Sequence, residues 1–357
     1  MSPPDTGKAS GADPRRRLFP APPPRDFDPA GADADTLHKF GLPPRPDENA
    51  QPGLHNLWMS TFGRTLRFVA RAQPRLEFTR PPAGARNSSQ LPPEMKLAGH
   101  LDTSLNWSGA YLTANEGKSF TQVWGQWTVP VPRPPAGALP PISGTIDYQC
   151  SAWIGLDGQR IYLNSSLPQI GTAHTVTVPA IGGRTYENYA WTQWWYKDGT
   201  DLPDPIQGFP VEHGDTIGCV LTVRNEHSVL LNIVNKSTNP WAFAAVELEA
   251  PFVTLPNGHK LQFTITGANA EWIMERPRIP NQAGFYAFPD YGSVNFVHCH
   301  AVEALAGGAT PVEQVLQSPR YVRMFEARSA PQRTAYISMP YRIDEYSFNV
   351  THGGFEG

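Results

Sequence analysis

The chain has 357 residues, of which 40% are hydrophobic and 17% are charged, and its formal net charge is −3. This length allows one large core with an extension, or two ordinary domains. The longest apolar stretches, such as residues 229–234, have the length of a strand, and none reaches the ~18 apolar residues that a membrane-spanning helix needs. We therefore expect no membrane partner.

Residues 1–100 differ in composition from the rest of the chain. They contain 17 of the 38 prolines, and their 14 Lys and Arg against 10 Asp and Glu give a charge of +4, which leaves −7 for residues 101–357. Such composition is typical of extended or linker-like chain, and we expect only short helices, at residues 35–40 and 56–72. No apolar segment follows the basic cluster at residues 15–17, so no secretory signal is recognisable.

Residues 101–357 have the pattern of an all-β domain. Short alternating apolar and polar runs are separated by Gly, Pro, Asn and Asp, and no helical periodicity of ten residues occurs between residues 106 and 277. We expect an antiparallel β-sandwich of two large stacked, bent sheets, similar to the concanavalin and lectin sandwiches.

One predicted strand, residues 122–129, has a face that bears on the function of the domain. The period of two puts Val123, Trp127 and Val129 on the core side and Trp124 on the other side, among amides and hydroxyls. A face of this kind suits a groove for an extended peptide or glycan. An ordinary solvent face with a single Trp explains the pattern equally well.

Several kinds of active site lack their sequence motifs. The chain has no Gly-x-Ser-x-Gly, His-Glu-x-x-His or Gly-x-x-x-x-Gly-Lys-Ser/Thr motif, and nothing points to a nucleotide or a nucleic acid. His298 and His300 form a possible metal pair, but no third ligand accompanies them at an obvious spacing, so no metal or other cofactor is expected. Three cysteines leave the disulfide state open.

The glutamates leave a glycosidase interpretation open. Glu271 and Glu275 share a strand face, but four residues separate their Cα atoms by ~13 Å, more than the ~5 to 9.5 Å between the carboxyl groups of glycosidases. Glu247 and Glu249, ~6.6 Å apart along a strand, fit that range. Glutamates that alternate on a solvent-exposed face are the more ordinary explanation of this pair.

Seven short motifs follow one another between residues 106 and 277. They are Asn106-Trp-Ser-Gly-Ala-Tyr-Leu112, Trp127-Thr-Val-Pro130, Ser151-Ala-Trp-Ile-Gly-Leu-Asp-Gly158, Leu167-Pro-Gln-Ile-Gly171, Tyr189-Ala-Trp191, Gly214-Asp-Thr-Ile217 and Asn269-Ala-Glu-Trp-Ile-Met-Glu-Arg-Pro277. In this order they resemble the glutamic peptidases, or eqolisins, in the form of a bacterial-type member with a long N-terminal extension.

The resemblance implies an acid endopeptidase with a catalytic dyad of Gln169 and Glu275. The carboxylate would take a proton from a water that attacks the peptide carbonyl, and the amide would orient that water and stabilise the oxyanion. Supporting or substrate-binding residues would be Trp153, Asp157, Trp191, Gln193, Trp124 and Glu271. Gln193 stands where the family commonly has Glu, which affects the expected subsite preference and pH optimum.

The resemblance also gives residues 1–100 a role. Family members have basic propeptides that shield an acidic catalytic domain, so this segment is expected to be an intramolecular inhibitor of a zymogen. The implied protein is a secreted monomer that acts on polypeptides. A glycan hydrolase and a non-catalytic peptide- or sugar-binding sandwich are the alternatives.

Overall fold

The computed structural model describes residues 16–18, 22–24, 27–69, 101–158, 166–196, 202–254, 258–280, 284–305, 311–327 and 334–356. Within these ranges the chain forms two helices, α1 (Ala34–Lys39) and α2 (Pro52–Phe62), and twenty strands. The strands are β1 (Arg16–Leu18), β2 (Leu66–Phe68), β3 (Leu101–Ser104), β4 (Trp107–Thr113), β5 (Lys118–Thr128), β6 (Thr145–Leu156), β7 (Ser166–Pro179), β8 (Thr185–Tyr196), β9 (Asp204–Pro205), β10 (Thr216–Asn225), β11 (Ser228–Asn235), β12 (Trp241–Glu249), β13 (Phe252–Thr254), β14 (Lys260–Gln262), β15 (Asn269–Glu275), β16 (Ser293–Leu305), β17 (Val312–Val315), β18 (Arg320–Ala327), β19 (Thr334–Arg342) and β20 (Phe348–Glu356). The all-β prediction is confirmed.

Hydrogen bonds join eighteen of these strands into one network, and β13 and β14 form a separate pair. The main order is β9–β8–β7–β6–β15–β4–β18–β19–β20–β16–β5–β10–β11–β12. All neighbours in this order are antiparallel, whereas β2 and β3 add to β12 and β18 in parallel. The hydrogen bonding therefore does not separate two sheets, because β18, β19 and β20 connect the half of the order that begins with β9 to the half that ends with β12.

Two groups of strands pack face to face across the main core. We call β4, β6, β7, β8 and β15 the first layer, and β5, β10, β11, β12 and β16 the second layer. Val123, Trp127 and Val129 lie in this core, as the alternation predicts. Across the layers, Trp127 Nε1 donates to Thr172 Oγ1 (2.9 Å) and Trp272 Nε1 donates to the Trp124 carbonyl (2.6 Å). Cys150, Cys219 and Cys299 are buried free thiols.

The outer face of the second layer is covered by the N-terminal segment. Leu54, Trp58 and Phe62 of α2 are buried, and the Phe62 ring lies 6.0 Å from the rings of both Trp124 and Phe243. β1 and β2 each pair with β12. Burial of this apolar face fixes the segment on the second layer.

The two helices correspond to the two predicted ones. α1 begins after Asp33, whose side chain accepts a hydrogen bond from the Thr36 N–H, a typical N-cap. α2 begins earlier than predicted because Pro52 is favourable in the first turn. It also ends earlier than the predicted residue 72, at Phe62 before Gly63, and residues 66–68 form β2 instead. Among the described helices, neither has the length and apolar character needed to cross a membrane.

Candidate active site

The outer face of the first layer carries most of the predicted site residues. In β15, Ala270, Trp272 and Met274 point into the main core, so Glu271 and Glu275 point outward. The same alternation turns Trp153 of β6, Gln169 of β7 and the side chains of Trp191 and Gln193 of β8 to this face, where an aromatic cluster around Trp153 and Trp191 lies.

Strand register sets four residues of this face side by side. Glu271 of β15 is opposite Gly155 of β6, Gly155 is opposite Gln169 of β7, and Gln169 is opposite Gln193 of β8. We call these four residues the Gln169 row. Two inter-strand spacings put the Cα atoms of Glu271 and Gln169 about 10 Å apart. Both side chains rise from this face.

Gly155 keeps the space between Glu271 and Gln169 free of a side chain. A Cβ at this position would come within 2.7 Å of Leu167 Cδ1 and 3.1 Å of Trp153 Cζ3. Any larger residue would displace these groups, and it would stand between the carboxyl and the amide. Steric crowding in the site therefore explains why residue 155 is a glycine.

Gln169 is held by its neighbour on β8. Its Nε2 donates to Gln193 Oε1 at 2.9 Å, which leaves its second N–H. Within the described part of the chain, the buried Gln169 Oε1 has no hydrogen-bond partner. Gln193, where the sequence resemblance implies a Glu, thus still supplies an acceptor that orients the Gln169 amide.

Glu271 is fully buried, and neither of its carboxyl oxygens has a hydrogen-bond partner among the described residues. Burial is the main cause that raises its pKa, to about 8, and the nearby Asp157 carboxylate raises it further. The Gly158 N–H faces the carboxyl without forming a well-aligned hydrogen bond, and it lowers the pKa in part. Glu275 adds a smaller upward contribution.

Glu275 is half-buried and has three hydrogen-bond donors. Its Oε1 accepts from Asn106 Nδ2 (3.0 Å) and Trp107 Nε1 (3.1 Å), and its Oε2 accepts from Trp153 Nε1 (2.8 Å). Burial raises its pKa to about 7, while these three donors and the charge of Arg278 act in the opposite direction. Asn106 and Trp107 were not among the predicted site residues, although both lie in the first family motif.

The expected pairing of Gln169 with Glu275 stays a prediction. Glu275 is opposite Ser151 of β6, which is opposite Ala173 of β7, so its row lies four residues from the Gln169 row. The buried Trp153 occupies the row between them. Gln169 and Glu275 thus lie on the same face of the first layer, in rows on either side of Trp153.

Asp157 holds the turn that leads into β15. Its carboxylate accepts hydrogen bonds from the Thr266 N–H and hydroxyl and from the N–H groups of Gly267 and Ala268, at 2.6 to 3.0 Å. These bonds lower its pKa, but burial outweighs them and raises it. Asp157 therefore fixes the start of the strand that carries Glu271.

The aromatic residues divide between the two faces of the molecule. Trp153 is fully buried and packs edge-on against Trp107, with 5.1 Å between ring centroids, and Trp191 is also buried on this face. Trp124 is buried beneath α2 on the second layer instead. The predicted open groove beside Trp124 is wrong, because α2 covers that face of β5.

The remaining candidates lie elsewhere. Glu247 and Glu249 alternate with the core residues Val246 and Leu248 of β12, so they point to the outer face of the second layer. His300 Nδ1 pairs with Glu313 Oε1 at 2.5 Å. In the ranges that the structure describes, no group of three His, Cys, Asp or Glu side chains could hold a metal ion.

A carboxyl and a carboxamide on one face of an all-β scaffold are groups with which a hydrolase can activate water. The chain matches the family model of the Peptidase A4 family over residues 105–321. It therefore belongs to this family, the eqolisins, and is a glutamic endopeptidase whose substrates are polypeptides.

Three eqolisins are among the solved structures that match this chain. Scytalido-glutamic peptidase with a transition state analog inhibitor is 19% identical (TM-score 0.47), and the match covers 69% of this chain and 98% of that one. SCP-B in complex with the tripeptide Ala-Ile-His is 17% identical (TM-score 0.45), with the same coverage. Aspergilloglutamic peptidase from Aspergillus niger is 20% identical (TM-score 0.39), covering 57% and 99%. No curated protein matches the sequence.

Proposed function

We propose that the protein hydrolyses peptide bonds with Gln169 and Glu275 as the pair that activates water. The observation that carries this proposal is that both residues lie on the outer face of the first layer, where Glu275 is partly exposed and Glu271 is fully buried. The donors Asn106, Trp107 and Trp153 orient the Glu275 carboxyl. The proposal therefore keeps the glutamate that the sequence indicates.

The chemical step needs one proton to move twice. Ionised Glu275 takes a proton from the water as the water oxygen bonds to the peptide carbonyl carbon. The same proton then passes to the amide nitrogen as the C–N bond breaks. The Gln169 N–H that Gln193 does not use donates to the water or to the oxyanion, where one such donor is typically worth ~3 kcal/mol.

Hydrolysis of denatured casein by the full-length protein, measured from acid to alkaline pH, tests this proposal. Glu275→Gln removes the base without changing the shape of the side chain, and we expect kcat/KM to fall at least ~10²-fold. Gln169→Ala should cost a similar factor, because it removes the oriented donor. Glu116→Gln, an exposed position, is the matched control and should leave kcat/KM unchanged.

The outcome also separates the alternatives. Full activity of folded Glu275→Gln would reject Glu275 as the base. No cleavage of casein at any pH by folded wild-type protein would reject peptidase activity and favour a binding role. The glycosidase interpretation has no support in the geometry, because Glu247 and Glu249 lie on the layer opposite the Gln169 row.

For the N-terminal extension, we propose that residues 27–69 are a structural part of the enzyme. They bury apolar side chains against the second layer, whereas the Gln169 row is on the outer face of the first. The expected zymogen, with inhibition by residues 1–100, stays a prediction, as do secretion and the monomeric state. Mass spectrometry of the secreted and the intracellular protein would detect any removal of the extension.

A further inference from the structure

We propose that a recess between α2 and the second layer binds a small organic carboxylate, with Lys236 as its cation and His298 as a hydrogen-bond donor at the mouth. Residues of α2, β5 and β10 line this recess together with Lys236 and His298, and we call it the Lys236 recess. Its volume is about 260 Å³, including the solvent at its mouth. It lies on the layer opposite Gln169 and Glu275, so it is separate from the proposed catalytic pair.

Lys236 is held beneath the helix. It follows β11, and its Nζ donates to Thr61 Oγ1 of α2 at 3.1 Å. Its stem passes close to Gly218 of β10, where a Cβ would come within 3.3 Å of Lys236 Cε. An ammonium group has three N–H donors, of which the bond to Thr61 uses one. The others are available to a ligand in the recess.

A β-bulge brings His298 to the recess. From Val297 to His300 strand β16 advances three residues, while its partner β5 advances only two. His298 has a φ of 53°, in the left-handed region that residues with a Cβ seldom adopt. Its neighbours Phe296 and Cys299 fill the core positions, so packing of the core does not require this conformation. Bulges of this kind re-aim a side chain and are frequent beside functional sites.

The recess has an excess of positive charge. Burial lowers the pKa of Lys236 to about 8, and the charge of Arg64, just past α2, lowers it further. Burial also lowers the pKa of His298, and Lys236 and His300 add to this effect. In the described part of the chain, no carboxylate pairs with Arg64, Lys236 or His298, and the Glu313 carboxylate is already paired with His300. A bound anion would offset this charge.

The rest of the lining favours an anion with an apolar part. Phe62 and Trp124 are buried rings, and Leu57 is half-buried beside them. A strongly hydrated ion such as phosphate would lose its water here without gaining enough polar partners. A carboxylate with a short branched chain has a charged end for Lys236 and an apolar end for Leu57 and Phe62. A free acid and the C-terminal residue of a peptide share this chemistry.

Calorimetric titration of the full-length protein with isovalerate at pH 7 tests the site. We expect saturable binding of one molecule per chain, and no binding of isovaleramide, which has a similar shape without the charge. Lys236→Met keeps the apolar stem and removes the ammonium group, and it should weaken binding at least ~10-fold. His298→Phe removes the ring N–H and should weaken binding ~3-fold. Lys260→Met, at an exposed position of β14, is the matched control and should bind as the wild type does.

Three results of the titration would overturn the inference. Absence of saturable binding to the wild type would reject the site. Equal binding of isovaleramide would make the recess merely apolar, and tighter binding of inorganic phosphate would reject the organic carboxylate as the ligand class. N-acetylleucine distinguishes the two sources of the carboxylate. Tighter binding of N-acetylleucine than of isovalerate identifies the end of a peptide, the reverse order identifies a free acid, and either order supports the site.

A proton measurement keeps the inference testable if Lys236→Met does not fold. At pH 8 about half of the Lys236 side chains are neutral, and a bound carboxylate favours the charged form. Titrations of the wild type in Tris and in HEPES, which differ in heat of ionisation, should therefore show net uptake of up to about half a proton per bound isovalerate. His298→Phe should keep this uptake, because burial holds the His298 pKa below its ordinary value. Binding without uptake would refute Lys236 as the cation.

Discussion

Acidification should weaken the fold through His174, a residue of β7 that lies wholly buried between the layers. Its Nδ1 is within 3.0 Å of Asn188 Oδ1, and its Nε2 is within 3.0 Å of Thr172 Oγ1. The neutral ring satisfies both partners, with Nδ1–H donating and Nε2 accepting. Thr172 in turn accepts from Trp127 Nε1. A second proton on the ring would remove the acceptor that Nε2 offers to the Thr172 hydroxyl.

The size of the effect follows from the pKa of His174, which burial lowers from 6.5 to about 4. The Asn188 hydrogen bond opposes this shift, and the nearby His213 adds to it. Between these two pH values the unfolded chain binds a proton that the folded chain does not, so stability falls as the pH falls. The full loss is about 3 kcal/mol, since one pKa unit corresponds to ~1.4 kcal/mol.

Urea unfolding of wild type and His174→Gln at a series of pH values from about 8 to 4 measures this contribution. The variant is expected to be less stable at neutral pH, but its stability should decline less on acidification, by about 3 kcal/mol. Equal slopes for wild type and His174→Gln would refute the reasoning.

Two further predictions concern the frame around the site. Phe62→Ala should lower the free energy of unfolding by about 3 kcal/mol or more, measured in urea, because Phe62 is fully buried against Trp124. Its kcat should match the wild type. A large loss of kcat in folded protein would contradict the placement of the site on the first layer, away from α2. Asp157→Asn should cost about 2 kcal/mol, because an amide cannot accept all four hydrogen bonds that the carboxylate accepts. An unchanged urea midpoint would exclude Asp157 as the support of the turn before β15.

The sequence predicted what depends on local periodicity. The alternation in residues 122–129 assigned Val123 and Trp127 to the core because side chains in a strand alternate between faces. The cover over Trp124 was not predictable in this way, because it comes from α2, about sixty residues earlier in the chain. A strand pattern identifies the two faces and does not indicate what packs on them.

The choice between the two glutamates of β15 shows the same limit. Motif and periodicity place Glu271 and Glu275 on one face, but only the pairing of β15 with β6, and of β6 with β7, decides which of them shares a row with Gln169. That register depends on contacts between segments more than a hundred residues apart. The hairpin of β6 and β7 alone would have placed Gly155 beside Gln169, without the glutamate.

The position of β15 between β4 and β6 also affects when the enzyme becomes competent during its synthesis. Gln169 and the strands on either side of the gap are made first, and the gap stays open until residues 269–275 have left the ribosome. The other edge of β4 can pair only after β18 has been made, and the connection between the layers can form only after β20 has been made. Contacts so distant in sequence make folding slow. The nascent chain therefore has no assembled Gln169 row for most of its elongation, and it cannot digest itself or its neighbours before the last strands are in place.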